Sequence, residues 1–257
     1  MRAIYGGFHV IRALVFAVLF AGPVLAAEAH RDFVPGGVNV TRWARGEISY
    51  LNSATGEITG AEKWEMTVNA DGSRSLQSTN YLTNLGFMHS VHLRVEANFR
   101  PRELFTEYWI NGAFRNSTFI AVRGPLLDIT SRFADRTVHE TVTIPTAFSF
   151  IPHPLASDVW HGWYYDKARG GTQTTTVYDV AANGTQPLQV GRVYEESLTY
   201  LGNELISVPA GAFPCDHFRV GDAVDYYVTG PDAIFVKFVW RANNAEYVLT
   251  KLEMSGP

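Results

Sequence analysis

Apolar residues recur at every second position over much of this chain, and that period commits it to strands. Trp64, Met66 and Val68 alternate with Lys63, Glu65 and Thr67, and Val91, Leu93 and Val95 alternate with His92, Arg94 and Glu96. Val138, Glu140, Val142 and Ile144 oppose His139, Thr141 and Thr143. Residues 233–240 (AIFVKFVW) and 246–252 (EYVLTKL) read as adjacent strands. Successive strand side chains point to opposite faces, so each such run has one face for a core and one for water.

Turn chemistry cuts the runs short. Asn69-Ala70-Asp71-Gly72, Asn111-Gly112, Asn183-Gly184 and Thr229-Gly230-Pro231-Asp232 are turn or hairpin signals. No window of a dozen residues holds a 3.6-residue stripe; Pro101–Ile110 is the best helical candidate, at one or two turns. Many short strands with close turns predict an all-β fold: an antiparallel β-barrel or an open barrel-like sheet, with at most one short helix and a long irregular loop. The chain carries 16 Phe, 12 Tyr and 6 Trp. That aromatic load predicts an interior to fill or line.

The first residues obey a different rule. Arg2 and Arg12 precede an apolar run from Ala13 that ends at Gly22-Pro23, and Val24-Leu25-Ala26 supplies small residues for cleavage. This is the order of a secretory signal peptide, expected to be cut after residue 26 or 29, and the run is short for a membrane span. Residues 27–257 are then one β-barrel-like domain, secreted or periplasmic, with no stable membrane insertion. The chain has 21 basic and 25 acidic residues, a net charge of −4, and loss of Arg2 and Arg12 takes it to −6. Such a surface argues against nucleic acid, whose affinity rests on Lys and Arg meeting phosphate. Cys215 is the one cysteine. No internal disulfide can form, stability must come from the core, and Cys215 reads as a small buried hydrophobe.

One segment breaks the strand pattern. Pro145–Gly171 holds three prolines, then Trp160, Trp163, Tyr164 and Tyr165, then Gly170-Gly171. Irregular stretches of this length in compact domains are often functional, and this one reads as a lid or mouth loop. His161 or His153 could act as a general base, with Asp158 or Asp166 to orient it and Tyr164 or Tyr165 to donate to an oxyanion. Trp160 and Trp163 could stack on a flat molecule. The competing structural reading has these aromatics plug one end of the barrel. A second group, Arg100 with Tyr108 and Arg115, could take a carboxylate or phenolate, or be ordinary surface charge.

Other chemistries lack their motifs. There is no His-Glu-x-x-His, no cysteine pair and no acidic calcium loop, so no metal site is expected. His89 and His92 are three apart and fall on opposite strand faces. No Gly-x-Ser-x-Gly elbow and no glycine-rich phosphate loop occurs, so no cofactor is expected.

The run from Tyr200 reads strand, Pro-Ala-Gly turn, strand. Glu204 followed by Val208-Pro209-Ala210-Gly211-x-Phe213 resembles the late-chain motif of the DUF3108-like exported bacterial proteins. That resemblance implies an exported β-barrel-like fold, says little about activity and carries no catalytic residue with it. The resulting expectation is a barrel that binds a small hydrophobic or aromatic molecule in an aromatic-lined cavity. The alternatives are a cofactor-independent lyase or isomerase acting on an aromatic molecule by His, Tyr and Arg chemistry, and a structural envelope protein with no pocket.

Overall fold

The computed structural model describes residues 39–180 and 191–255. The expected leader and the Asn183-Gly184 turn lie outside them. Alternation becomes strand almost everywhere it was read. The first eight strands are β1 (Val40–Asn52), β2 (Ile58–Asn69), β3 (Arg74–Leu82), β4 (Phe87–Val95), β5 (Pro101–Ile110), β6 (Ala113–Arg123), β7 (Leu126–Phe133) and β8 (Thr137–Thr143). They form an antiparallel meander. At Asn111-Gly112 both residues have positive φ, 50° and 73°, which is the geometry a two-residue hairpin joining twisted strands requires.

Pro101–Ile110 corrects the helical expectation: it is strand β5, in register with β4 and β6. Leu104, Thr106 and Tyr108 point to the buried face while Arg102 and Phe105 point out. Pro101 sits at the strand's first residue, where its missing N–H disturbs the ladder least. Short-range propensity gave way to pairing on both sides.

After β8 the chain turns inward. It forms a three-residue strand β9 (Ser149–Ile151), a single helical turn α1 (Leu155–Asp158) and a 3₁₀ stretch from Val159 to Tyr164. It then resumes as β10 (Thr172–Val180), β11 (Gly191–Val208), β12 (Gly211–Val220), β13 (Val224–Thr229), β14 (Ile234–Trp240) and β15 (Ala245–Met254). β15 pairs with β1, so the second meander joins the first in one fifteen-stranded sheet among the described residues. Among the described residues only the β9–β10 pairing is parallel. β8 and β9 are the two ends, so the barrel-like sheet is open.

The inner face holds the core: Ile48, Met66, Leu76, Leu93, Leu104, Ile120 and Ile129 from one half, and Phe218, Tyr226, Phe235 and Leu249 from the other. α1 packs against both β3 and β14, well separated in strand order, so the sheet wraps around the inward segment. Cys215 is fully buried, and burial pushes its thiol up to about 12, so it behaves as the small hydrophobe expected. His89 is buried and His92 exposed, on opposite faces as the spacing required.

Candidate functional site

Two rows of side chains, each set by strand register, line the inner face. The first is aromatic. Tyr50, Tyr247, Phe238, Tyr226, Phe218 and Tyr200 are successive cross-strand partners from β1 through β15 to β11. Their rings touch at 4.4 Å (Tyr50–Tyr247), 5.5 Å (Phe238–Tyr247), 5.2 Å (Phe218–Tyr226) and 5.2 Å (Tyr200–Phe218). The second is polar: Glu62, Asn80, His89, Tyr108 and Asn116 on β2 to β6. Burial pushes the His89 imidazole down to about 3, so it is neutral, and it bonds the Thr106 hydroxyl.

The inward segment is fastened to this wall by one carboxylate. Glu62 is fully buried. It accepts hydrogen bonds from the Tyr50 hydroxyl (2.6 Å), the Ser78 hydroxyl (2.7 Å) and the backbone N–H groups of Leu155 (2.8 Å) and Ala156 (3.0 Å). Those two N–H groups open α1 and have no partner within the helix. Burial raises the Glu62 pKa, and the four donors hold the rise in check.

The candidate residues of the segment separate into two places. At one, His153 has a left-handed backbone, φ 79°, and its N–H donates to Asp158 Oδ1 at 2.8 Å. Its Nε2 lies 2.8 Å from Asp179 Oδ1 on β10. Burial would lower the His153 pKa, but the Asp179 hydrogen bond and the nearby Asp158 raise it. Burial pushes Asp158 up to about 7, with His153 pulling against it. Asp158 therefore holds the backbone of His153, and the side-chain partner is Asp179, which the sequence reading did not select.

At the other, His161 lies buried with Nε2 3.4 Å from Glu196 Oε2 on β11, its ring edge-on to Tyr226 at 5.3 Å. Burial lowers its pKa against the pull of Glu196. Among the described residues the Tyr226 hydroxyl has no hydrogen-bond partner, while His161 feels Glu196 and the backbone of Asp158. Buried polar atoms without partners are rare enough to need a reason.

Beside this trio is a cavity of about 270 Å³ between the inward segment and β12 to β14. Val159, Trp163, Tyr165, Phe218, Val228 and Ala233 line it, and Lys167 and Asp216 face it as a 2.6 Å ion pair. Trp163 is 46% exposed and packs at a tilt on Phe99 at 4.5 Å, whereas Trp160 is buried edge-on to the same ring. Tyr165 donates its hydroxyl to the Gly171 carbonyl and packs on Phe218. The Tyr164 hydroxyl is buried without a partner, and burial raises its pKa. A larger groove, about 480 Å³, lies over Gly46 and Trp64. Most of its charges are paired: Glu47 with Lys63 and Lys251, and Arg45 with Glu253.

The structure does not bring the second predicted group together. Arg100, just before β5, donates to the carbonyls of Thr146 and Gly124, while Tyr108 is buried near the other end of that strand with Arg115 exposed close by. Glu62, Glu196 and Tyr226 were missed from sequence. For Glu62 a signal existed, since the Trp64–Met66–Val68 face extended back by two lands on it. Among the described residues no group of three or more His, Cys, Asp or Glu is placed to hold a metal ion, and no helix is long and apolar enough to cross a membrane.

No family model matches the chain, and no curated protein does. Similar solved structures exist. One is a β-barrel-like protein of the domain of unknown function DUF1849 from Brucella abortus. It has 8% sequence identity over 85% of this chain and 99% of that one, with a TM-score of 0.51. Another is a DUF1089 family protein from Pseudomonas aeruginosa, at 11% identity over 71% and 90% of the two chains and a TM-score of 0.41. The first likeness is one of fold. The DUF3108-like resemblance rests on the β11–β12 hairpin motif alone, where Val208 pairs with Gly211 across the turn.

Proposed function

We propose that this protein binds a small, flat, largely apolar molecule in the cavity between its inward segment and β12 to β14. The observation behind this reading is the cavity itself: about 270 Å³, walled by Trp163, Tyr165 and Phe218 with Val159, Val228 and Ala233. Ligand pockets are typically apolar clefts with a few placed polar groups, from about 300 Å³ upward, so this one suits a ligand of one or two fused rings. The half-exposed Trp163 offers a stacking face at the entrance. The lyase or isomerase alternative would use His161 and Tyr226, which are sealed at 6% and 0% exposure, so binding is the reading supported here.

Naphthalene is a suitable probe, measured by equilibrium dialysis. Val228→Phe puts a ring into the cavity and should weaken binding at least tenfold while the far-UV spectrum stays unchanged. Undiminished binding in that variant would move the site elsewhere. The leader pattern of Arg2 to Ala26 supports an exported location for this binding. Cell fractionation that finds the uncut chain in the cytoplasm would overturn that part.

A further inference from the structure

The mouth of the cavity carries a cation that is held in place from several sides. Lys167 and Asp216 both line the cavity, with Lys167 Nζ 2.6 Å from Asp216 Oδ2. The ammonium also lies over the Tyr200 ring, 4.6 Å from its centre. Asp216 is itself fixed, because its Oδ1 accepts from the Tyr200 hydroxyl at 3.1 Å and from Asn203 Nδ2 at 2.7 Å. The loop that presents Lys167 is tied down as well. Asp166 Oδ1 accepts the N–H groups of Ala168 and Arg169, and Gln173 on β10 donates to the carbonyls of Asp166 and Gly170. A long, flexible side chain is thus held at one place beside an apolar space.

The two members of the pair differ in what they have left to offer. The Asp216 carboxylate already has three donors on it, from Lys167, Tyr200 and Asn203. The Lys167 ammonium has three N–H groups, of which, among the described residues, Asp216 takes one, and its side chain is 48% exposed. The unspent capacity at the mouth is therefore for donating, and it selects an acceptor on the ligand. A carboxylate suits it best, because a charge-assisted hydrogen bond is roughly twice as strong as a neutral one. A cation is disfavoured, since Lys167 already occupies the place beside Asp216 and Tyr200. We infer that the cavity takes an apolar ring bearing a carboxylate, with the ring between Trp163, Tyr165 and Phe218 and the carboxylate on Lys167. The inference rests on the binding reading above and names the ligand class for that same cavity.

Naphthalene, 2-naphthoate and 2-naphthylmethylamine test it by equilibrium dialysis at pH 7, where the second is an anion and the third a cation. Apolar walls alone would favour naphthalene, because taking an unpaired charge out of water is unfavourable. The expected order instead has 2-naphthoate bound about tenfold tighter than naphthalene, with the amine weakest. Lys167→Met keeps a long side chain and removes the charge. In that variant 2-naphthoate should fall to the level of naphthalene or below, and naphthalene should be unchanged. The amine should gain, because Asp216 has lost its cation, and a folding defect cannot imitate a gain. If naphthalene binds as tightly as 2-naphthoate, or Lys167→Met leaves 2-naphthoate unchanged, the carboxylate assignment is wrong and the cavity reading stands. If the amine binds the parent protein most tightly, Asp216 holds the head group and the assignment is again wrong. If none of the three binds, the cavity reading fails and this inference with it.

Discussion

Replacing Asp158 by Asn should stabilise the protein at alkaline pH and not at acid pH. Asp158 sits where the inward segment meets the wall, close enough to Glu62 on β2 and Asp179 on β10 to feel both carboxylates, with His153 as its counter-charge. Burial holds its carboxyl protonated to about 7, against an ordinary 3.8. Below 3.8 the folded and unfolded chains both carry the proton, and nothing is lost. Between 3.8 and about 7 the unfolded chain gives up the proton first, so stability falls as pH rises. Above 7 the loss is complete. At about 1.4 kcal/mol per pH unit it amounts to about 4 kcal/mol, with the pull of His153 already contained in the shift. Asn keeps an oxygen to accept the His153 N–H, so the variant removes the charge and spares the hydrogen bond. Urea unfolding followed by tryptophan fluorescence, at steps from pH 4 to pH 8.5, gives the difference between variant and parent directly. Groups that do not feel Asp158 cancel in that difference, among them Asp232, whose lowered pKa costs stability as pH falls. The difference should grow from near zero at pH 4 to a gain of about 2–4 kcal/mol at pH 8. A flat difference, or a variant less stable at pH 8, would refute the reasoning.

Two further outcomes follow from the same geometry. Glu62→Ala strips the partner from two hydroxyls and two backbone N–H groups at once and should cost about 3–5 kcal/mol in urea unfolding. It should also release the inward segment to proteolysis before the sheet unfolds, and uniform cleavage across the chain would count against that anchoring role. Gly162→Ala forces a Cβ against the Tyr226 hydroxyl and should cost about 1–3 kcal/mol. Most of that should return in the double variant with Tyr226→Phe, and simple additivity of the two changes would show that the contact is not the cause.

Sequence alone reveals the strands because their signal is local. Alternation such as Val91–Leu93–Val95 states both the element and its buried face, and Asn111-Gly112 states the hairpin. It misread Pro101–Ile110 because PRELFTEYWI has helical neighbours in composition, and only pairing with β4 and β6 decides the matter. The inward segment was recognisable by its prolines and aromatics, and its placement was not. What fixes it is Glu62, 93 residues before Leu155. The same holds for the cavity. Trp163 and Tyr165 stood out in sequence, but Phe218 and Val228 join them only once β12 and β13 pair. Proximity in the chain joins His161 to Asp158, three residues before it, whereas Glu196, 3.4 Å from its ring, comes from β11. Contacts made across the sheet leave no spacing to read.

The open end of the sheet bears on how the protein behaves in company. Among the described residues β8 pairs only with β7, so its outer edge is an unpaired one there. On its inner face Val138 and Val142 flank Glu140. A carboxylate in the middle of that stripe penalises a second strand that would dock there and bury it. Glu140 is thus a charge set on the inner face of an edge strand, where an added strand that buried it would be penalised.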